Sequence, residues 1–306
     1  MRYLFKVGAE VGQNELWKKF FNGGNVQALG GAVRHKAMGG DRIQNSSFAA
    51  FCAEQGVADE KVNAFNRVVR SYESGYKSAA KYDKPAFRPV DPHIFKMVKE
   101  WAVKHFHPYM GGSRVCSYEE VIPEMNRSTS SGYPHNIVFK TKGEFFDSDV
   151  CGPLTQAYWD ELLELEPLHV PIWTCTQKDE LRSKEKLESG SIRTFLMSPV
   201  EHSLACNRIC LDMNGRFYQS ANKTWSFVGG SKYAGGFQAL FERLSKHGNG
   251  FALDAKDYDS SLLRCFMEAM VDIRWEFLRQ EDKTLKNRKR LEALYDSIIN
   301  SCIVLE

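Results

Sequence analysis

GFALDAKDYDSSL, Gly250 to Leu262, decides how the rest of the chain is read. An apolar run, Phe251-Ala252-Leu253, ends in Asp254, and two more acids follow at Asp257 and Asp259. Carboxylates this close repel one another unless positive charge stands between them. Downstream, Leu263, Phe266, Met267, Met270, Ile273, Trp275, Phe277 and Leu278 predict a helix with a broad apolar face. Asp259 or Ser260 would cap its first turn. The pattern therefore predicts a strand that ends at Asp254, a tight turn, and a helix that begins at Asp259. That geometry brings both carboxylates to the C-terminal edge of a sheet, where ligands commonly bind. Paired carboxylates there suit a hard cation such as magnesium. Nucleotidyl transfer uses two such ions to hold the attacking hydroxyl and the leaving phosphate oxygen in line. A capped helix behind a solvated acidic turn accounts for the same residues and, on the pattern alone, is the plainer reading.

The surrounding chain sets bounds. Its 306 residues suffice for one large domain or for two or three subdomains sharing a core. With 43% hydrophobic and 26% charged residues, the composition is that of an ordinary soluble globular protein. A formal net charge of +3 does not mark a nucleic-acid binder, so any basic surface must be local. No apolar run is long enough for a membrane span, and the start, MRYLFKVGAE, lacks the apolar core of a signal peptide. The eight cysteines are scattered, which suits a reducing compartment. Cys206 and Cys210 stand four apart, but no second pair matches them, and buried helical thiols are the plainer account than zinc.

Residues 1 to 85 read as irregular chain with short helices, one near Glu60 to Ser74; their Gly pairs read as turns. Asp91-Pro92 opens a helix in which Ile94, Met97, Val98 and Trp101 form an apolar stripe. Another helix is expected over Leu154 to Leu165. Pro167 and Pro171 bracket the approach to an extended segment. SCIVLE, Ser301 to Glu306, reads as a strand with no turn after it, which suggests a chain cut within a domain.

Two further stretches carry candidate chemistry. QKDELRSKEKLESGSIRTF, Gln177 to Phe195, holds Lys178, Arg182, Lys184, Lys186 and Arg193, nearly cancelled by Asp179, Glu180, Glu185 and Glu188. A triphosphate needs several converging cations, with Arg favoured for its fork of donors. Gly190 would permit a hairpin that returns Arg193 towards the lysines. On charge pattern alone, a surface helix laced with ion pairs is the plainer account. STSSGYP, Ser128 to Pro134, is a polar turn whose hydroxyls and amides could hold a phosphodiester backbone, or a plain loop.

Taken in order, STSSGYP, then KDELRSKEK with a downstream Arg, then Asp-x4-Asp, the chain from about residue 86 to 306 resembles the RNA-dependent RNA polymerases of positive-strand RNA viruses, with the picornavirus-like and astrovirus-like branches nearest in pattern. KDELRS-x-EK is the specific element. The resemblance implies an α+β right-hand polymerase, with fingers and the first part of the palm present and the thumb absent. Residues 1–85 would be the N-terminal finger-bridging region. Residues 86–194 would be fingers, with the template motif and the basic hairpin. Residues 195–306 would be the N-terminal palm and the start of a second fingers insertion. Ser131, Gly132 and Tyr133 would touch the template strand. Lys178, Arg182, Lys186 and Arg193 would neutralise the incoming nucleotide, with Arg193 packing against its base. Asp254 would ligate both magnesium ions, and Asp259 would help read the ribose 2′-hydroxyl. Reverse transcriptases usually carry a bulky aromatic near that second position.

The resemblance further implies template and product RNA and ribonucleoside triphosphates as partners. It leaves room for other viral replication proteins and implies residence in a replication complex in the host cytoplasm. Some departures stand out. Ser191 occupies a position where the family often has Lys, and Lys184 could supply that contact. Asp257 is an additional acid. The family's Ser-Gly-x3-Thr-x3-Asn and Gly-Asp-Asp motifs do not occur in these 306 residues, so this chain by itself is expected to be inactive. Two other classes of function compete. One is a non-catalytic RNA-binding or interaction module using KTLKNRKR, Lys283 to Arg290. The other is a magnesium phosphotransferase, for which Gly229-Gly230-Ser231-Lys232 has the composition but the wrong order.

Overall fold

The computed structural model describes residues 46–58, 65–68, 72–83, 90–164, 169–255 and 258–305. In chain order its elements begin with helix α1 (Ser46–Glu54), strand β1 (Phe65–Arg67) and helices α2 (Tyr72–Ala80), α3 (Pro92–Met110), α4 (Tyr118–Glu124), α5 (Lys142–Phe146) and α6 (Cys151–Glu161). Strands β2 (Ile172–Gln177) and β3 (Leu181–Ser183), helix α7 (Lys184–Glu188) and strand β4 (Thr194–Met197) follow. The remainder is helical, α8 (Val200–Gln219), α9 (Gly236–Leu244), α10 (Tyr258–Ser261), α11 (Arg264–Phe277) and α12 (Leu285–Ile299), before strand β5 (Cys302–Leu305). The chain forms two compact units. One draws on described residues of Met1–Phe87, Trp173–Met197 and Ile303–Glu306; the other spans Arg88–Ile172 and Ser198–Cys302.

The first unit is built on two small sheets. One has the order β4-β2-β5, with β2 central. Thr174 pairs with Met197 and Gln177 with Thr194 in antiparallel register. The central position explains why Thr174, Cys175, Thr176 and Gln177 are all buried. The expected strand over SCIVLE is present as β5, hydrogen-bonded to β2. In the other sheet β1 pairs with β3, Asn66 opposite Arg182. This corrects the helix expected near Glu60 to Ser74. Phe65–Arg67 is a strand, because pairing with a segment far along the chain outweighs local helical spacing.

The second unit is helical and organised by α8. Val200 and Leu204 join a core with Cys116, Val121 and Phe145. Ala205 and Ile209 enter a second core with Tyr158, Trp159, Val271, Leu291 and Leu294. Met213 enters a third with Phe106, Met110, Phe277 and Leu278. The spacing of these residues puts them on successive turns of one helix. Asp91 caps α3 as expected, accepting from the amides of His93 at 2.8 Å and Ile94 at 3.1 Å. The stripe of Ile94, Met97, Val98 and Trp101 is exposed, however, and α3 buries Phe106 and Met110 instead. Among the described residues, no helix is long and apolar enough to cross a membrane.

One buried pair in this unit has a consequence for pH. His202 is buried on α8, with Nδ1 2.9 Å from the Tyr158 hydroxyl and Nε2 3.4 Å from Cys206 Sγ. Burial pushes its pKa down from 6.5 to about 4, against the opposing pull of Glu201. The unfolded chain therefore takes up a proton near pH 6.5 that the folded chain refuses until near pH 4. Stability should fall as pH drops through this window, by about 3 kcal/mol at most. Urea unfolding across this range is expected to show the slope in the parent and a flatter one in His202→Asn; equal slopes would exclude His202 as its source.

Candidate functional site

The polar turn Ser128–Pro134 is held from below by its own chain. Asn126 Oδ1 accepts from the Ser128 amide at 3.1 Å and from its hydroxyl at 2.8 Å. The Lys142 amide donates to the Thr129 carbonyl at 2.8 Å. Ser131 is fully buried; its hydroxyl donates to the Phe139 carbonyl, and its own carbonyl accepts from the Val200 amide at 2.9 Å. Gly132 has φ +78° and lies against Ser198 and Pro199. Ser131 and Gly132 thus seat the turn on the start of α8. The half-buried Tyr133 is the member of this triplet that offers side-chain surface.

The basic stretch does form a hairpin, which displaces the alternative of a surface helix. The Lys178 amide donates to the Arg193 carbonyl at 2.8 Å, closing the β2–β4 ladder. Within it the chain runs through β3, the short α7 and a turn at Gly190, whose φ of +64° is unfavourable for a residue with a Cβ. Lys77 donates to the Ser189 carbonyl at that turn. Arg182 Nη2 donates to the Ser191 carbonyl at 3.1 Å. Two of the predicted cations meet at one acid. Arg193 makes a two-pronged contact with Glu180, its Nε at 2.7 Å from Oε1, and Arg182 Nε lies 3.6 Å from the same oxygen. The guanidinium of Arg193 holds the Glu180 carboxyl below the usual carboxylate range. Glu180, read from sequence only as one of four neutralising acids, is the residue that gathers the arginines. Lys178, Lys184 and Lys186 are exposed.

The acidic turn departs from expectation. Residues 250–255 form no strand, and Phe251 and Leu253 are 88% and 87% exposed. A strand requires a neighbour's amides and carbonyls, and none of the named strands pairs with this stretch. Asp254 is exposed at its end; Asp257 lies outside the described residues. Asp259 sits in the single turn α10, its Oδ1 accepting from the Ser260 amide at 2.9 Å, and does not cap the long helix. That helix, α11, begins at Arg264 after Leu263, with no side-chain cap. In kind, carboxylate oxygen fits a hard divalent cation. In number the donors fall short, since among the described residues no group of three His, Cys, Asp or Glu could hold a metal ion.

Sequence reasoning also passed over a buried cluster beneath the polar turn. Glu201 of α8 is 1% exposed, its Oε2 2.8 Å from His135 Nε2 and its Oε1 3.2 Å from His169 Nε2. An acid in the first turn of a helix was the one available signal. Nothing local connects it to histidines so far along the chain.

Comparison with known proteins adds kinship to this geometry. Residues 49–306 match the family model described as viral RNA-dependent RNA polymerase. Among curated proteins, the chain is 27% identical over 251 residues to Genome polyprotein 1 of Barley mild mosaic virus (strain Na1), covering 78% of the chain. It is 25% identical over 202 residues, 65% of the chain, to Non-structural polyprotein 1AB of Turkey astrovirus 2. The chain spans only 10% of the first polyprotein and 12% of the second. Among solved structures, a Sicinivirus 3Dpol RNA dependent RNA polymerase aligns with a TM-score of 0.62 at 15% identity. That alignment covers 76% of this chain and 51% of the other, and shows a shared fold.

Proposed function

The chain belongs to the viral RNA-dependent RNA polymerase family, and from that premise we propose that it supplies the fingers and first palm segment of an enzyme that copies RNA. The reaction is template-directed transfer of a nucleotide from a ribonucleoside triphosphate to an RNA 3′-hydroxyl. The observation that carries this reading is the hairpin: Arg182 and Arg193 gather on Glu180 while Lys178 and Lys186 stay exposed. Such a cationic set, with arginines restrained and lysines free to reach, suits a triphosphate. Arg193 would grip phosphate and pack against the base. Tyr133 would meet the template, carried on a turn that Ser131 and Gly132 seat. Asp254 would hold magnesium and Asp259 would sense the ribose 2′-hydroxyl. Magnesium held there would supply positive charge opposite the phosphoryl group being transferred.

Arg193 offers the direct test. In the complete polymerase, Arg193→Ala is expected to raise the apparent KM about tenfold for all four nucleotides alike, the loss of roughly one charge-assisted contact. An effect confined to one base would mean that Arg193 reads sequence rather than charge. Glu180→Gln should move KM in the same direction by less, since the guanidinium remains but loses its tether.

The 306-residue chain by itself is expected to extend no primer with magnesium and ribonucleotides, because one carboxylate cluster binds the ions weakly. Robust extension would overturn the assignment of the remaining ligands to the Gly-Asp-Asp motif. The competing RNA-binding module finds little support in α12 and the residues before it. Arg290 is buried against Trp159, Arg288 is paired with Asp272 at 2.7 Å and Glu292 at 2.6 Å, and Lys283 lies 3.5 Å from Glu276. Of the five cations in that run, only Lys286 and Lys289 are exposed. A salt titration of RNA binding that ignores Lys178 and Arg193 substitutions would restore the module.

A further inference from the structure

The buried carboxylate of Glu201 serves none of the roles assigned above. A carboxylate this deep is costly unless its oxygens are matched by donors. Two loops bring histidines up to them. His135, the residue after Tyr133-Pro134, places Nε2 2.8 Å from Oε2, a close polar contact outside hydrogen-bond alignment. His169, ahead of β2, places Nε2 3.2 Å from Oε1, while its amide donates to Glu161 Oε1 at 2.7 Å. The segment from Ser198 to Glu201, where α8 begins, therefore holds the polar turn and the residue after it at three places: Val200 on Ser131, Ser198-Pro199 against Gly132, and Glu201 on His135.

We propose that Glu201 is a positioning residue for template binding: through His135 it sets where Tyr133 stands, and hence how tightly the protein holds an RNA strand. This rests on the reading of Tyr133 as the template contact. Glu201 cannot touch RNA itself, being 1% exposed. Burial pushes its carboxyl up, but His135 and His169 outweigh burial and hold it at about 2, so it is ionised at neutral pH. The backbone beyond His135 is closed by amides that depend on this placement. Asn136 donates to Gly132 at 2.8 Å, and Val138 and Phe139 donate to His135 at 3.0 and 2.8 Å.

The test uses the full 306-residue chain, amide hydrogen exchange, and a short single-stranded oligouridylate as RNA probe. Glu201→Gln keeps the shape and removes the charge. It is expected to speed exchange at Asn136, Val138 and Phe139 about tenfold, with α11 and α12 unchanged, and to weaken RNA binding about tenfold. His135→Leu should do the same with Glu201 intact, and decides the matter should Glu201→Gln fail to fold. His135→Gln, which keeps a polar N–H near the carboxylate, should retain more of the slow exchange than His135→Leu. Unchanged loop exchange in both Glu201→Gln and His135→Leu would overturn the proposal, as would a rise spread equally over α11 and α12. Loosened loop exchange with RNA affinity untouched by Tyr133→Ala would overturn the template reading while the positional role of Glu201 stands.

Discussion

Asp254→Ala in the complete polymerase is expected to lower nucleotide incorporation by about a thousandfold or more, with the unfolding transition barely moved. The catalytic loss follows from the proposed metal role. Removing a group that stabilises developing charge typically costs about two to three orders of magnitude, and a direct metal ligand costs at least that. The small effect on stability follows from position. Asp254 is exposed, in a stretch with no strand ladder, and substitutions at such sites shift stability by about 0.5 kcal/mol or less. Single-nucleotide incorporation and a thermal melt, run side by side, separate the two effects. Activity within tenfold of the parent would remove Asp254 from the metal site; a large fall in melting temperature would make it a structural residue.

Gly132→Ala should destabilise the protein by about 2–4 kcal/mol, the largest effect expected of any single methyl group added to the polar turn. Two costs combine. At φ +78° any residue with a Cβ is strained. That Cβ would also stand 2.5 Å from the Ser198 carbonyl oxygen and 2.8 Å from Pro199 Cα. Both are backbone atoms at the start of α8, which three cores hold in place, so they cannot swing aside as a side-chain tip would. Gly215→Ala, inside α8 with nothing within 4 Å of the added atom, is the control and should be neutral or stabilising by about 0.5–1 kcal/mol. Equal denaturation midpoints for the two variants would show that the turn is not seated on α8 as described.

Much of the candidate site was legible where one short stretch holds all the information. KDELRS-x-EK is a contiguous motif, and the return of the chain at Gly190 follows from the permissiveness of glycine. The hairpin that Gly190 allowed and the family resemblance implied is present. The strand expected over Phe251 to Asp254 did not form, although its apolar run is equally local. A strand is half of a pair, and an apolar run says nothing about whether the other half is present. The helix expected across Phe65 failed for the converse reason: β3 offered that segment a partner. For Glu180, its sign was visible and its office was not, because the fork it closes joins Arg182 to Arg193 across the hairpin.

By itself the sequence determined what lies within a few residues of each signal. That includes the capped start of α3 at Asp91-Pro92, the order of the polar, basic and acidic motifs, and through them the family. Capping and turn chemistry act over three or four residues, and motif chemistry is written in residue type and spacing. Tertiary structure alone decided which face of α3 is covered, why Gly132 must be glycine, and that Glu201 answers to His135 and His169. Each of these is a contact between atoms brought together by folding. Burial, steric clash and charge pairing depend on distance in space, which spacing along the chain does not encode.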